Sequence, residues 1–188
     1  MMNQAMIEQG IQLLLRGFGE DLEREGIVET PKRAAKMYLE LLEGMNYTNE
    51  QIAEMFGKSF EVNTSQMVVV KDIGTFSMCE HHLALMYDMN ISVGYIPNGK
   101  VIGLSKIPRI AEMCCKRLQL QEKIGEDIAE VISIATGSED VIVHITAKHS
   151  CVTARGIKSR GSNTVTTTKK GKFIRDYDLT REFIDSLK

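Results

Sequence analysis

Two short clusters of cysteine and histidine, far apart in sequence, constrain the fold of this 188-residue chain more than any other feature. One cluster is Cys79-Glu80-His81-His82 and the other is His149-Ser150-Cys151. Cysteine thiolates and neutral imidazoles are the ligands that zinc prefers, and catalytic zinc sites use three protein ligands with one position left open. A fold that brings the two clusters together would therefore build a catalytic metal site.

The spacing within each cluster directs its side chains to one side. Cys79 and His82 are three residues apart and share a face in a helical turn or tight loop. His149 and Cys151 are two apart and share a face at the end of a strand. We expect Cys79, His82 and Cys151 to hold zinc. His81 and His149 would then lie beside the metal as proton-transfer groups, because imidazole titrates near neutral pH.

A single cysteine or histidine in a soluble protein is more often a buried core residue than a ligand. That interpretation applies to Cys114 and Cys115, which follow an apolar helical pattern with no histidine nearby. It also applies to His144, which alternates with apolar neighbours. Two clusters occurring together favour the metal site instead.

Composition and charge exclude several classes of partner. The chain is 43% hydrophobic and 26% charged, which is ordinary for a soluble globular protein. Its net charge of -2 gives no general attraction to nucleic acid or membrane, and no apolar stretch is long enough to span a bilayer. The N-terminal residues lack a signal-peptide layout, and four cysteines without one indicate a reducing compartment. We expect a cytoplasmic protein.

Hydrophobic periodicity predicts an α+β protein with a helical N-terminal arm, residues 1–65, and a body, residues 66–188. In the arm the pattern predicts helices over residues 7–18 and 30–42. Thr30 is the predicted N-cap of the second helix, Pro31 its first residue and Gly44 its end.

The body is predicted to contain mostly antiparallel strands with a pair of helices on one face. Asn98-Gly99 is a hairpin turn signal, with residues 101–104 as the return strand. Gly137 is the predicted end of the second body helix. Residues 118–123 fit either a bend between two helices or one continuous helix. The predicted strands cover residues 67–70, 91–96, 141–148 and 163–168, and the predicted helices cover residues 108–117, 124–135 and 181–187.

Basic residues near these segments are candidates for binding phosphate. Ser105, Lys106 and Arg109 surround the start of the helix that Pro108 opens, and a helix N-terminus favours anions. Arg155 follows Cys151 closely in sequence. Each cation alone is more often a solvated surface charge. Arg33 and Lys36 share a face of the second arm helix.

Taken in order, these segments resemble the GTP cyclohydrolase I family from about residue 29 to residue 187. Any one segment is a weak match, but the whole set in order and at the family's spacing is highly specific. The matching segments are residues 29–38, 79–82, 95–97, 101–106, 117–122, 149–156, 166–168 and 181–183, with Gly171 and Phe173.

The resemblance implies the tunnelling fold, or T-fold, in which a twisted antiparallel sheet carries two helices on one face. It also implies a homodecamer of two face-to-face pentamers with active sites at subunit junctions. Residues 1–28 lie outside the strong match, and we expect them to form a helix used in ring assembly.

The resemblance further implies that GTP and water give formate and 7,8-dihydroneopterin triphosphate, the first step of folate or pterin synthesis. Zinc held by Cys79, His82 and Cys151 would activate water for attack on C8 of guanine, with His149 and His81 transferring protons. The residues implied to bind substrate are Glu122 with Gln121 at the guanine edge, and Ser105, Lys106, Arg109 and Arg155 at the triphosphate, with Arg33 and Lys36 contributing.

One stretch departs from the family pattern. After Leu83 the family commonly has a Pro-Phe pair and a turn glycine, whereas residues 84–90 here read ALMYDMN. The chain is also one residue longer before Tyr95. The sequence therefore leaves the geometry of this hairpin open, although no proposed ligand lies within it.

Three other functions compete with this interpretation. The 7-cyano-7-deazaguanine reductases share the fold but use a cysteine nucleophile and a nicotinamide cofactor, and the Cys79, His82 and Cys151 set argues against them. A zinc-stabilised scaffold would close the site with a fourth protein ligand. A protein that senses GTP would bind the nucleotide without converting it.

Overall fold

The computed structural model describes residues 2–188, and its central element is a five-stranded sheet. The strands lie in the order β5-β2-β3-β6-β7, antiparallel except for the parallel pair β2 and β5. A separate two-stranded sheet pairs β1 with β4. The strands are β1 (Ser59–Glu61), β2 (Val68–Cys79), β3 (Ala84–Tyr95), β4 (Lys100–Ile102), β5 (Leu118–Gln119), β6 (Val141–His149) and β7 (Thr164–Lys169).

Seven α-helices surround these strands in the described part of the chain. They are α1 (Gln4–Gly17), α2 (Thr30–Leu41), α3 (Asn49–Phe56), α4 (Lys106–Cys115), α5 (Gln121–Thr136), α6 (Ser150–Thr153) and α7 (Tyr177–Ser186). Short 3₁₀ helices cover Glu43–Asn46 and Gly171–Ile174. No helix within residues 2–188 is both long enough and apolar enough to cross a membrane.

The main core lies between α4, α5 and one face of the large sheet. Ile124 and Ile128 recur at helical spacing on α5, while Val143 and Ile145 alternate along β6, so both elements present apolar stripes to the same core. Gly125 lets α5 approach β7 closely, because a Cβ there would overlap the Thr168 side chain. α4 and α5 thus pack together against the large sheet, and the chain has the α+β class that the sequence predicted.

A smaller apolar cluster covers part of the other face of the sheet. It consists of Ile142 with Phe173 and Phe183, the last on α7. The aromatic rings pack edge to face with centroids 6.5 Å apart. The predicted C-terminal helix therefore exists, and it begins earlier than residue 181.

Two further predictions for the body have clear outcomes. Residues 118–123 are not a continuous helix, because β5 separates α4 from α5. The prediction of a hairpin at Asn98-Gly99 is wrong, because β3 does not pair with β4, the strand that follows this turn. Both edges of β3 are occupied by β2 and β6, so β4 pairs instead with β1, Ser59 facing Ile102. Gly137 ends α5 in the left-handed conformation, φ 68°, as predicted.

The arm contains the predicted helices with different ends. Thr30 is not an N-cap, because its hydroxyl donates to the backbone oxygen of Gly26. α2 ends at Leu41, and Gly44 lies in the following 3₁₀ helix, where a Cβ would overlap the backbone oxygen of Met113. α3 was not predicted, and its Ile52 and Ala53 join the main core. The division at residue 65 stays a prediction, since the arm shares that core.

A β-bulge in β3 lies within the stretch that departs from the family pattern. Pairing of β3 with β2 shifts by one position between Thr75 and Ser77, and pairing with β6 shifts between Tyr87 and Asn90. Asp88 has φ 48° in this bulge, a conformation that aspartate tolerates better than most residues. The strand therefore accommodates one unpaired residue here, away from the turn.

Candidate active site

The two cysteine and histidine clusters meet in the folded chain. The ligand atoms of Cys79, His82 and Cys151 lie within 4.8 Å of one another. One zinc ion with bonds of about 2.0–2.3 Å can contact all three with small adjustments. Cys79 is buried, Cys151 is half-buried and His82 is exposed, so the group opens toward solvent on its histidine side. Two thiols and one imidazole are a donor set that fits zinc.

The sheet places these ligands through the ends of its strands. β2 ends at Cys79 and β6 ends at His149, immediately before the short helix α6 that carries Cys151. β3 lies between β2 and β6 and holds both ends in register, with Ala84 opposite Cys79 and Met86 opposite His149. Segments distant in sequence therefore meet where the ends of neighbouring strands lie side by side.

Side-chain hydrogen bonds to β3 fix the turn that carries Cys151. The Ser150 hydroxyl donates to the backbone oxygen of Leu85 at 2.8 Å. The hydroxyls of Tyr87 and Thr153 are bonded to each other at 3.0 Å. Sequence reasoning missed these residues, because only the register of β3 against β6 reveals that they meet.

The thiols of this chain occupy two contrasting environments. Burial, and then the neighbouring Cys79, raise the pKa of Cys151, so a cation between the two thiols would favour their thiolate forms. Cys114 and Cys115 are fully buried in the main core, and burial raises the pKa of Cys114 to about 12. The predicted packing role of this second pair is confirmed.

The histidines outside the candidate ligand set lie in different environments. His81 is exposed, and its ring is 6.3 Å from the ring of His82, edge to face. His149 is half-buried, and its Nε2 lies 2.9 Å from Oε1 of Gln121. Burial lowers the pKa of His149, while the nearby charge of Glu122 acts in the opposite direction. His144 lies elsewhere and bonds the Thr167 hydroxyl at 2.9 Å.

Arg155 and Glu122 lie near the candidate metal group and its neighbour His149. The Arg155 guanidinium donates from Nη1 to Nε2 of His82 at 2.9 Å. Glu122 is exposed in the first turn of α5, close enough to His149 to influence its pKa. A guanidinium bonded to His82 and an exposed carboxylate near His149 therefore flank the cluster.

Gln121, which the resemblance implies at the guanine edge, has a buried side chain hydrogen-bonded to the protein. It is 1% exposed, and its amide nitrogen donates to the backbone oxygens of Ile145 and Thr164 and to the Thr166 hydroxyl. Its amide oxygen faces His149. With its side-chain groups engaged by the protein, Gln121 contacts the histidine, and Glu122 is the residue left free for a ligand.

The other predicted phosphate-binding residues lie away from the metal ligands within one chain. α4 begins at Lys106 and ends at Cys115. The end at Cys115 is the one near the metal ligands, because its backbone oxygen accepts a hydrogen bond from Ser77, close to the end of β2. A helix rises 1.5 Å per residue, so Lys106 lies about 14 Å along the axis from that end. Ser105 and Arg109 belong to the same distant end.

Arg33 and Lys36 are exposed on α2, a helix that packs mainly against α1. No hydrogen bond within residues 2–188 joins either side chain to the metal ligands. The structure thus gives these two cations no direct contact with Cys79, His82 or Cys151.

A second cluster, which we call the polar cluster, lies beside β5 and consists of Arg117, Asp127 and Asn49. Arg117 Nη1 donates to Asp127 at 2.7 Å and to Asn49 at 2.8 Å. Its remaining nitrogens donate to the backbone oxygens of Gly44 and Tyr47. The Asp127 side chain is 4% exposed. The polar cluster ties the arm to α5, and sequence reasoning did not identify it.

Comparison with known proteins decides the family. The family model described as GTP cyclohydrolase I matches residues 7–188.

The chain belongs to the GTP cyclohydrolase I family.

Curated relatives agree with this assignment over nearly the whole chain. The "GTP cyclohydrolase 1" of Clostridium botulinum (strain Loch Maree / Type A3) is 54% identical over 176 residues, covering 90% of each chain. The protein of the same name from Clostridium acetobutylicum is 52% identical over 183 residues, covering 95% of this chain and 94% of that protein. The resemblance seen in the sequence is therefore confirmed.

One solved structure is more distantly similar. It is the apo form of the archaeosine synthase QueF-Like, with a TM-score of 0.44 and 18% identity, covering 59% of this chain and 97% of that one. This likeness is too low to decide the fold. Membership of the GTP cyclohydrolase I family rests on the sequence matches.

Proposed function

We propose that this GTP cyclohydrolase I family member converts GTP and water to formate and 7,8-dihydroneopterin triphosphate, with zinc held by Cys79, His82 and Cys151. The observation that carries the proposal is the convergence of these three side chains beside His149. When bound, zinc supplies Lewis acidity that makes water a nucleophile at neutral pH. The product would enter folate or pterin synthesis.

The protein's own side chains have separable roles in this proposal. His149, with its lowered pKa, is neutral near pH 7 and ready to accept a proton. His81, exposed near the ligands, serves as the second proton-transfer group. Glu122 accepts hydrogen bonds from the N–H groups of the guanine edge, and Arg155 binds a phosphate.

The proposed enzyme works as a ring of subunits with the T-fold, in a homodecamer of two pentamers. Lys106, Ser105 and Arg109 lie far along α4 from the metal ligands of their own chain, so a neighbouring chain would have to bring such cations to the site. Arg33 and Lys36 would contribute in the same way. β7 lies at the edge of the large sheet and offers backbone groups for pairing with another copy.

The arm supports assembly through its exposed apolar side chains. α1 has no buried residue, and Leu13, Leu14 and Phe18 are more than half exposed. Such residues in a soluble protein indicate a surface that a partner covers. Light scattering coupled to size exclusion should therefore give a mass near ten times that of the chain, and a monomer would contradict the proposed assembly. We place the enzyme in the cytoplasm.

The decisive test measures two products from one preparation. Purified protein loaded with zinc should release formate from GTP and form a pterin that fluoresces after oxidation. Removal of zinc with a chelator should abolish both signals, and added zinc should restore them. Absence of both products under zinc-replete conditions would refute the activity, whereas consumption of NADPH with a deazaguanine nitrile would indicate a reductase.

A variant at His149 tests the division of roles. His149→Asn should keep a full complement of zinc while lowering kcat about 10²- to 10⁴-fold, as expected on removal of a proton-transfer group. Zinc content by atomic absorption is the matching measurement. If the variant loses zinc as well, His149 is a ligand and the proposed division of roles is wrong.

A further inference from the structure

Gln121 is hydrogen-bonded to the imidazole ring of His149. It is the first residue of α5 and is 1% exposed. Its amide nitrogen lies 3.2 Å from each of three oxygens, the backbone oxygens of Ile145 and Thr164 and the Thr166 hydroxyl. Its amide oxygen lies 2.9 Å from Nε2 of His149. The amide therefore bridges two strands and one histidine.

The surrounding backbone fixes which way round this amide sits. The carbonyl oxygens of Ile145 and Thr164 can only accept hydrogen bonds, so they must face the NH₂ group of Gln121. A flipped amide would turn its oxygen toward both carbonyl oxygens, setting acceptor against acceptor and losing both hydrogen bonds. Oε1 of Gln121 consequently points toward His149.

The orientation of the amide determines where the histidine carries its proton. An amide oxygen only accepts, so Nε2 of His149 must donate to it. A neutral imidazole has one N–H and one lone pair, and the lone pair must then lie on Nδ1.

We propose that Gln121 is a positioning residue that holds neutral His149 as the Nε2–H tautomer and so leaves the lone pair of the ring on Nδ1. The tautomer follows from hydrogen bonding alone, whereas its effect on turnover depends on the proposed function. The sequence resemblance placed Gln121 at the guanine edge, and this inference gives it a different task.

The partner that orients the ring carries no charge. Gln121 is a neutral amide, so it fixes the His149 ring through hydrogen bonding alone, without a full negative charge beside the imidazole.

The first experiment reads the tautomer directly in the wild-type protein. Solid-state NMR of the zinc-loaded full chain, labelled with ¹⁵N-histidine, distinguishes protonated from bare ring nitrogens, and His149→Asn identifies the signals by subtraction. At a pH where His149 is neutral, we expect a protonated Nε2 and a bare Nδ1. A protonated Nδ1 would overturn the proposal, whether or not the protein turns over GTP.

The second experiment removes the amide. Gln121→Leu should allow both tautomers, keep its zinc and lower kcat about 10- to 100-fold, the range typical of lost outer-shell partners, with a much smaller change in KM. A single unchanged tautomer in Gln121→Leu would contradict the proposal.

A matched control separates positioning from general destabilisation. Gln119 is also a buried glutamine, and its amide nitrogen donates to the backbone oxygen of Cys114. Gln119→Leu should lower the denaturation midpoint yet leave the His149 spectrum unchanged. If Gln119→Leu alters the tautomer as much as Gln121→Leu, the effect is structural and the proposal fails. The wild-type spectrum decides the matter even if either variant does not fold.

Discussion

The metal ligands and the polar cluster lie near the same end of β2, yet they are built in opposite ways. Arg117, Asp127 and Asn49 are mutually hydrogen-bonded, and the remaining guanidinium donors reach backbone oxygens. Cys79 and Cys151 instead place two thiols together, with His82 exposed beside them. The polar cluster satisfies its own hydrogen bonds, whereas the thiol and imidazole group offers three ligand atoms that could hold a metal ion.

This difference separates the stability of the protein from its chemistry. Removing either partner of a buried, fully hydrogen-bonded ion pair destabilises the fold strongly, because the remaining partner becomes an unpaired buried charge. A group of soft ligands on strand ends can exchange a metal and admit a substrate while the sheet stays folded. We therefore expect changes in the metal group to remove activity and changes in the polar cluster to remove stability.

The largest effect should come from Cys151→Ala. Loss of one of three protein ligands should remove zinc and lower kcat at least about 10³-fold, since both Lewis acidity and the activated water depend on the ion. Zinc content and formate release on the same sample test this. Cys114→Ala is the control, a buried cysteine outside the site, and it should keep its zinc. Full metal content in Cys151→Ala would remove this residue from the ligand set.

The next effect should come from Asp127→Ala. It leaves Arg117 buried without its carboxylate and should lower the free energy of unfolding by about 3–5 kcal/mol. Urea unfolding of the zinc-free protein measures the change. Arg117→Met combined with Asp127→Leu should recover part of the loss. If Asp127→Ala instead removes zinc from protein that is still folded, the two clusters are not independent.

A smaller effect should appear as a dependence of stability on pH. Burial raises the pKa of Asp127, but hydrogen bonds from Lys123 and Asn49 and the charges of Lys123 and Arg117 outweigh it, so the pKa is lowered overall. The carboxylate therefore stabilises the fold above the unfolded pKa, about 3.9, and that contribution is lost as pH falls through the folded value.

Asp127→Asn should flatten this acid limb. Between about pH 5 and pH 2, its unfolding free energy should fall less steeply than that of the zinc-free wild type, because the variant has no carboxylate to protonate. Urea titrations at several pH values give both curves. Parallel curves would mean that other carboxylates dominate acid unfolding.

The sequence predicted the metal group because cysteine and histidine are scarce and their spacing is informative. It did not predict the polar cluster, since arginine, aspartate and asparagine are common on surfaces, and half of the Arg117 partners are backbone oxygens that no side-chain pattern marks. The sequence also predicted β6, because apolar residues alternate along that strand.

The sequence failed where the outcome depended on which strand edges were free. Asn98-Gly99 has turn chemistry, but only the full sheet shows that β2 and β6 already occupy both edges of β3. The extra residue before Tyr95 was visible as a length difference. The bulge at Asp88 depends on register with two neighbouring strands, which turn signals do not encode.

The smallest effect should come from an ion pair at that bulge. Lys148 and Asp88 lie 2.8 Å apart, with side chains 37% and 62% exposed, so water screens the pair. Lys148→Ala should therefore leave the urea midpoint unchanged within error. Like Arg117 and Asp127, Lys148 and Asp88 pair a cation with a carboxylate, but this pair is exposed. A clear destabilisation would show that the pair holds the bulge, and through β3 the register of His149. Zinc content of the variant then tells whether the metal group depends on that register, and no loss of zinc is expected.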